Sequence, residues 1–319
     1  MISIDIHADD YALTVNTSKD MLECMKAGKL NSISIVPNTS SFEECMGMIY
    51  EAIPTLPFLP VMSVHLDFVE GRSLAGHREV PLLTRADSDL MGLSWGGLFK
   101  LSYMPWKRRE AKRQLKKEIK AQIERTQNAI ERCRKIAESN GILCAQKGLR
   151  IDSHQHAHMI PVVWEAVTEV VEEEGYPLEY IRNSKEVLGV FLAEISLWKT
   201  YRPINFVKNR LLSLYSYKVD RYDKAHHKEQ MYLWGLIMSG HMDHERIQKL
   251  YGAMMRKAER DNRVLEILFH PGKVIPDEVN PELGDAAAED FYLSSDRYVE
   301  KRAVMSDIIE WKQLLRESK

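Results

Sequence analysis

Apolar and polar residues alternate over positions 2–7, the two-residue period of a strand, and the pattern breaks at Ala8-Asp9-Asp10-Tyr11. Beyond it, short apolar runs and amphipathic stretches take turns. Residues 17–28 read as a helix closed by Gly28 as C-cap, and Ile33-Ser34-Ile35-Val36 as the next strand. Residues 41–53 read as a helix and Val61-Met62-Ser63-Val64-His65-Leu66 as a strand. No period governs 70–106, a length of irregular chain that is usually functional or mobile. A long helix follows over 107–139, with Leu115, Ile119, Ile123, Ile130 and Ala137 as its apolar stripe. Leu149 to His154 reads as a strand, and 161–174 as a helix stopped by Gly175 and Pro177. The aromatic-rich stretch 185–235, with Trp198, Tyr201, Tyr215, Tyr217, Tyr222 and Trp234, resists assignment. A helix over 243–261, a strand from Val264 to Phe269 and a closing helix over 293–317 complete the chain.

Strands alternating with helices predict a mostly parallel sheet with crossover helices, an α/β fold. No internal repeat or linker divides the sequence, so residues 1–319 read as one domain with irregular insertions near 70–106 and 185–235. The pattern alone leaves a closed barrel and an open doubly wound sheet both open.

Composition narrows the class. With 45% hydrophobic and 28% charged residues, the 319-residue chain reads as soluble and globular. A net charge of -2 offers no global field for nucleic acid or an anionic membrane, so neither partner is expected. The basic run Lys107 to Lys120 reads as the solvated face of a helix. Four cysteines without a CxxC pair read as free thiols and disfavour a cysteine-built zinc site. The N-terminus lacks the marks of a signal peptide and no apolar stretch nears a membrane span, so a cytoplasmic protein is expected.

The chemistry-bearing residues fall where strands end: Asp9 and Asp10 after the first, His65 in the third, Asp152-Ser153-His154-Gln155-His156-Ala157-His158 after another, and His270-Pro271-Gly272 after the last. Ligands of parallel α/β folds bind outside the carboxyl ends of strands, so these residues converge on one face. Asp9-Asp10 reads either as a cap or turn, or as a metal ligand beside a proton acceptor. The three histidines project to one side if extended, whereas on a helix His154 and His158 share a face. Asp10, His65 and His154 form a 2-His-1-carboxylate set that leaves coordination positions open. His270 reads as a proton donor or a pocket wall.

These segments resemble the YdjC/ChbG-like carbohydrate deacetylases. The likeness lies in Ala8-Asp9-Asp10-Tyr11, Val64-His65-Leu66 with Glu70-Gly71-Arg72-Ser73-Leu74, Asp152 to Pro161, and Glu266 to Gly272, in order and spacing over roughly residues 2–275. The resemblance implies a distorted TIM-like (β/α) barrel, one divalent metal ion (Mg²⁺ or Zn²⁺), and removal of acetyl from N-acetylated sugars such as chitooligosaccharides. It implies Asp10, His65 and His154 as ligands, Asp9 as base and His270 as acid or orienting group. His156, His158, Arg72 and Arg182 are expected at the substrate, and a homodimer is implied. Three departures stand out. Ala12 replaces the family's usual glycine, Asp67 stands where a neutral polar residue is common, and 185–235 matches poorly. A metal-dependent sugar isomerase or epimerase and a non-catalytic sugar-binding protein are the competing readings. The stretches 70–106 and 185–235 are expected to cover the mouth of the site through Trp95, Trp106, Trp198 and Tyr201.

Overall fold

The computed structural model describes residues 4–283 and 291–306. Seven strands form one sheet: β1 (Ile4–Tyr11), β2 (Ser32–Ile35), β3 (Val61–Leu66), β4 (Leu149–Ser153), β5 (Leu178–Ile181), β6 (Met231–Trp234) and β7 (Val264–Phe269). Their order is β5-β4-β3-β2-β1-β7-β6, and every neighbouring pair is parallel. The connections carry α1 (Val15–Lys26), α2 (Phe42–Ala52), α3 (Trp95–Leu101), α4 (Pro105–Ser139), α5 (Pro161–Glu173), α6 (Leu188–Ala193), α7 (Pro203–Ala225), α8 (His244–Arg260) and α9 (Asp296–Met305). Among the described residues no helix is long and apolar enough to cross a membrane.

The sheet is curled, and one side chain demonstrates it. Arg182, just past β5, places its Nη1 2.8 Å from Asp9 Oδ2 on β1 and its Nε 2.6 Å from Glu266 Oε1 on β7. On a flat sheet four strand spacings of about 4.8 Å separate β5 from β1, far beyond the reach of one side chain. The seam between the edge strands is drawn together by an isolated parallel bridge between Glu186 and Leu233, with Leu233 N–H donating to Lys185 O at 2.9 Å. The fold is thus a seven-stranded, distorted TIM-like α/β barrel.

Strand alternation sorts residues between the barrel interior and the helical layer. Ile6, Ala8, Ile33, Ile35, Met62, Val64, Ile151, Leu265 and Ile267 point outward into two large hydrophobic clusters beneath the helices. Most inward positions are polar: Asp5 and His7 on β1, Ser32 and Ser34 on β2, His65 on β3, Arg150 and Asp152 on β4, Tyr180 on β5 and Glu266 on β7, with Leu268 an apolar exception at the cavity. The polar side chains bond to one another. His7 contacts Ser32 and Ser34 at 2.6 Å each, Ser34 donates to Asp152 at 2.5 Å, and Tyr180 donates to Glu266 at 3.0 Å. From Ile4 onward the alternation therefore marks a strand covered on both faces rather than one facing water; residues 2 and 3 lie outside the described residues.

Most elements lie where periodicity puts them. Thr14 caps α1, and Gly28 follows it with a left-handed φ of 67°. The long helix begins at Pro105, a residue suited to the first turn. Its basic face is an inter-helix ladder: Arg108 and Lys112 pair with Glu165 and Glu169 of α5. Within 185–235 lie α6, α7 and β6. Within 70–106, α3 follows turns tied by two isolated bridges, Arg72 with Leu90 and Thr84 with Met91. The closing helix is α9; the part of that expectation beyond residue 306 lies outside the described residues.

Glu186 clamps the seam. Its carboxylate accepts from the backbone N–H groups of Gly235 (2.7 Å), Leu236 (3.1 Å) and Ile237 (2.8 Å), all just past β6. Glu186→Ala leaves buried donors without acceptors and is expected to destabilise the fold by about 3 kcal/mol, read as a lower Tm in calorimetry. Burial pushes Glu186 up to about 7 from an ordinary 4.5, against the pull of those three N–H groups. The folded state then holds this proton more tightly than the unfolded chain, so its contribution to stability falls as pH rises from 4.5 to about 7. Glu186→Gln should flatten that part of the stability–pH curve.

Candidate metal centre and active site

Five of the strand-end residues meet at one cavity of about 560 Å³, lined by Asp9, Asp10, His65, His154 and His270 together with His156, Trp95, Tyr292 and the flank of α7. Adjacent residues on a strand ordinarily face opposite ways. Asp9 and Asp10 both reach the cavity because the β1–β2 register shifts between Ala8 and Tyr11, and Asp10 turns left-handed with φ 72°. Ala12 shares that conformation at φ 69°, where glycine would be free of strain. Alanine keeps the same backbone at a cost of about 1–2 kcal/mol.

Asp10, His65 and His154 are buried, and their ligand atoms all lie within 4.8 Å of one another. His65 Nε2 is 3.4 Å and His154 Nδ1 3.2 Å from Asp10 Oδ1. Each ring is fixed from behind. His65 Nδ1 lies 2.6 Å from Asp152 Oδ1, and His154 Nε2 lies 3.0 Å from the Tyr292 hydroxyl. These outer partners leave one nitrogen of each ring facing Asp10, the arrangement expected of histidine ligands. Burial alone would lower the His65 ring, but Asp9, Asp10 and Asp152 outweigh it and lift it to about 9. Burial likewise opposes charge on His154, and Glu70, Asp10 and Asp67 overcome it, raising that ring well above its ordinary range. The same negative field favours a cation among the three side chains. Asp5-His7-Glu266 and His7-Asp9-Asp152 also cluster closely, but both depend on His7, whose ring nitrogens are taken by Ser32 and Ser34 and which is not among the residues lining the cavity. The residues present therefore fit one divalent ion at Asp10, His65 and His154.

Asp9 sits beside this trio without joining it. Arg182 grips it with two parallel bonds of 2.8 Å each, and His7 Nε2 lies 3.1 Å from its Oδ1. Burial would raise its carboxyl, but Arg182, then His65 and His7, hold it well below the usual carboxylate range. His270 follows β7 at the cavity wall; its Nδ1 is 3.4 Å from Glu300 Oε2, which also accepts its backbone N–H at 2.5 Å.

The histidine cluster is neither extended nor helical throughout. Gln155 and His156 are both left-handed, φ 52° and 57°, and fan the three rings apart. His154 turns to Asp10, and His156 faces the cavity with Nδ1 3.0 Å from Ser184 Oγ. His158 turns into the protein, fully buried between Ser153 Oγ (2.6 Å) and Arg182 O (2.9 Å). Burial pushes His158 down to about 4, so it is neutral at pH 7. The structure places three of the expected substrate contacts away from the cavity. His158 and Arg182 are sealed from the cavity and hold other residues in place. Arg72 is not among the lining residues; its half-exposed side chain lies 3.9 Å from Glu282. Of the four aromatics expected over the mouth, Trp95 lines the cavity. Trp106 and Trp198 are exposed, and Tyr201 packs against Phe191 and Phe206.

Several site residues carried no signal in the sequence. Arg297, fully buried on α9, bonds the second oxygen of Asp10, and its guanidinium lies over Tyr292 at 5.3 Å. Asp152 stood inside a noted motif without a role. Asp67 uses Oδ1 to accept from Val69 and Glu70 N–H, a turn that a neutral polar side chain also makes.

A sequence model of the family described as "YdjC-like protein" matches residues 3–132 and 149–317. Among solved structures, one from Enterococcus faecalis V583, named for cellobiose-phosphate cleavage, is similar with a TM-score of 0.53 and 16% identity, covering 95% of this chain and 94% of that one. At that identity the likeness is one of fold.

Asp152→Asn keeps the shape but no longer accepts from His65 through a charged oxygen. Zn²⁺ affinity, followed by calorimetric titration, should weaken by about 10- to 100-fold; an unchanged affinity would mean that His65 is oriented by something else.

Proposed function

Because the chain belongs to the YdjC-like family, which includes carbohydrate deacetylases, we propose that it hydrolyses the acetamide of an N-acetylated sugar. The observation that carries the reading is the placement of a proton acceptor, Asp9, and a proton donor, His270, on the same cavity as a 2-His-1-carboxylate set. Two imidazoles beside one carboxylate suit Zn²⁺ better than Mg²⁺, which prefers oxygen ligands throughout. A divalent ion at Asp10, His65 and His154 would, when bound, polarise the acetyl carbonyl and make the attacking water more acidic.

The chain's own groups supply the proton traffic. Arg182 keeps Asp9 ionised and aimed, so the carboxylate is ready to accept a proton from water but is only a weak base. Water delivers its oxygen to the acyl carbon as the C–N bond breaks. His270, backed by Glu300, donates a proton to the departing nitrogen, and the products are acetate and the free amino sugar. Trp95 and Phe291 present flat apolar faces within the cavity, suited to the C–H surface of a sugar ring. Arg202 and Lys208 bring cations to the same wall, a fit for a sugar bearing a phosphate.

Acetate release from a panel of N-acetylated sugars, with and without added Zn²⁺ or Mg²⁺, tests the reading. Metal-dependent acetate is expected; a rearranged sugar without acetate would instead mark an isomerase or epimerase, and ligand binding without turnover a sugar-binding protein. Asp9→Asn should lower kcat by about 100- to 10,000-fold while the metal stays bound. Lys208→Ala should raise KM by about fivefold for a phosphorylated substrate and leave its unphosphorylated counterpart unchanged.

A further inference from the structure

Helix α7 buries a stripe of Asn205, Asn209, Leu212, Ser216, Val219 and Asp223 against the body of the protein. The opposite face of such a helix is ordinarily charged or polar. Here it carries Val207, Leu214 and Tyr217, exposed to 62%, 56% and 60%, interleaved with Arg210, Lys218 and Arg221. The segment leading into the helix adds Ile195 and Trp198, exposed to 71% and 52%, and the exposed Lys199. Between residues 195 and 219 the sequence places five cations, Lys199, Arg202, Lys208, Arg210 and Lys218, and no carboxylate; Arg202 and Lys208 line the cavity, and Arg202 lies 3.4 Å from Asp296. The next two acids turn away, Asp220 to Lys185 and Arg263, and Asp223 into the interior. The corner between α3 and α4 joins the same rim. The exposed Tyr103 meets the Tyr215 hydroxyl at 2.6 Å, and Trp106, the most exposed large apolar side chain among the described residues, lies three residues on, flanked by Lys107 and Arg109.

We propose that this rim is a docking surface for an anionic phospholipid bilayer. Aliphatic tips enter the acyl boundary, tryptophan and tyrosine settle at the headgroups, and lysine and arginine meet the phosphates. The near-neutral net charge of the whole chain conceals this local field. A second copy of the chain is a poorer occupant, because a two-fold dimer sets the patch against itself and brings Arg210, Lys218 and Arg221 of the two helices together, while Asp296 is already taken by Arg202. Nucleic acid would leave the protruding aliphatic tips without an apolar partner. The orientation also has a use. Ile204, Lys208 and Leu211, on the flank of the same helix, line the cavity, so docking turns the mouth of the site to the headgroup layer. On the deacetylase reading, the substrate class this favours is an N-acetylated sugar carried on a lipid.

Sedimentation of the full chain with vesicles tests the docking without reference to activity. It should pellet with vesicles of mixed phosphatidylcholine and phosphatidylglycerol, not with phosphatidylcholine alone, and be released as salt is raised. Val207→Glu with Leu214→Glu, at positions off the cavity, should weaken binding by at least about tenfold with Tm and Zn²⁺ affinity unchanged; Arg210→Glu alone should weaken it by roughly fivefold or more. Failure to pellet with anionic vesicles overturns the proposal, as does equal binding by the double variant. A solution dimer that the double variant splits would give the face to a second copy.

Discussion

A guanidinium without access to water is costly to bury unless carboxylates surround it, and Arg182 has three of them. It touches Asp9, Asp152 and Glu266, which stand on three strands, and so fixes how far the sheet must curl. Removing one member of such a buried set strands the others, at a cost of about 3–5 kcal/mol. Barrels of this class are ordinarily filled by branched aliphatic residues. This one is filled by hydrogen bonds and ion pairs, and its apolar core lies outside the strands, beneath the helices.

The site is an extension of that interior. Asp152 touches Arg182 with one oxygen and His65 with the other, so the orientation of a candidate metal ligand is inherited from the barrel. Asp9 owes its ionisation and aim to the same guanidinium. His158, which looked like a substrate contact, accepts the opposite task and bonds the Arg182 carbonyl from behind. Fold stability and site geometry are therefore not separable at Arg182.

Where the sequence was legible, a single period governed. The strands at Ile4, Val61, Leu149 and Val264 and the helices α1, α2, α4, α5 and α8 all follow apolar spacing to within a few residues. Strands β5 and β6 are four residues each, like β2, but Leu178-Glu179-Tyr180-Ile181 has a single polar break and Met231-Tyr232-Leu233-Trp234 is apolar throughout, so neither shows the alternation that β2 shows. Helix α7 was hidden for a different reason: four of its six buried residues are Asn, Ser or Asp, while Val207 and Leu214 face outward, so its periodicity points to the wrong side. The strand-end residues Asp9, Asp10, His65, His154 and His270 were legible because topology alone delivers them to one face. Two consecutive left-handed residues at 155 and 156 lie outside both regular patterns and misplaced His158. Arg297 and Glu300 lie on a helix far along the chain, and no local spacing connects them to Asp10 or His270.

That last helix has a consequence for synthesis. Asp10 stands near the start of the chain, and its charged partner Arg297 follows 287 residues later. No nascent chain ending before Arg297 can pair Asp10, and none ending before Glu300 can back His270. A ribosome adding about 5–20 residues per second therefore exposes the barrel strands well before the candidate site at their carboxyl ends is complete. During that interval Asp10 lacks the guanidinium that holds its second oxygen, and the order of translation becomes the order in which fold and site are acquired.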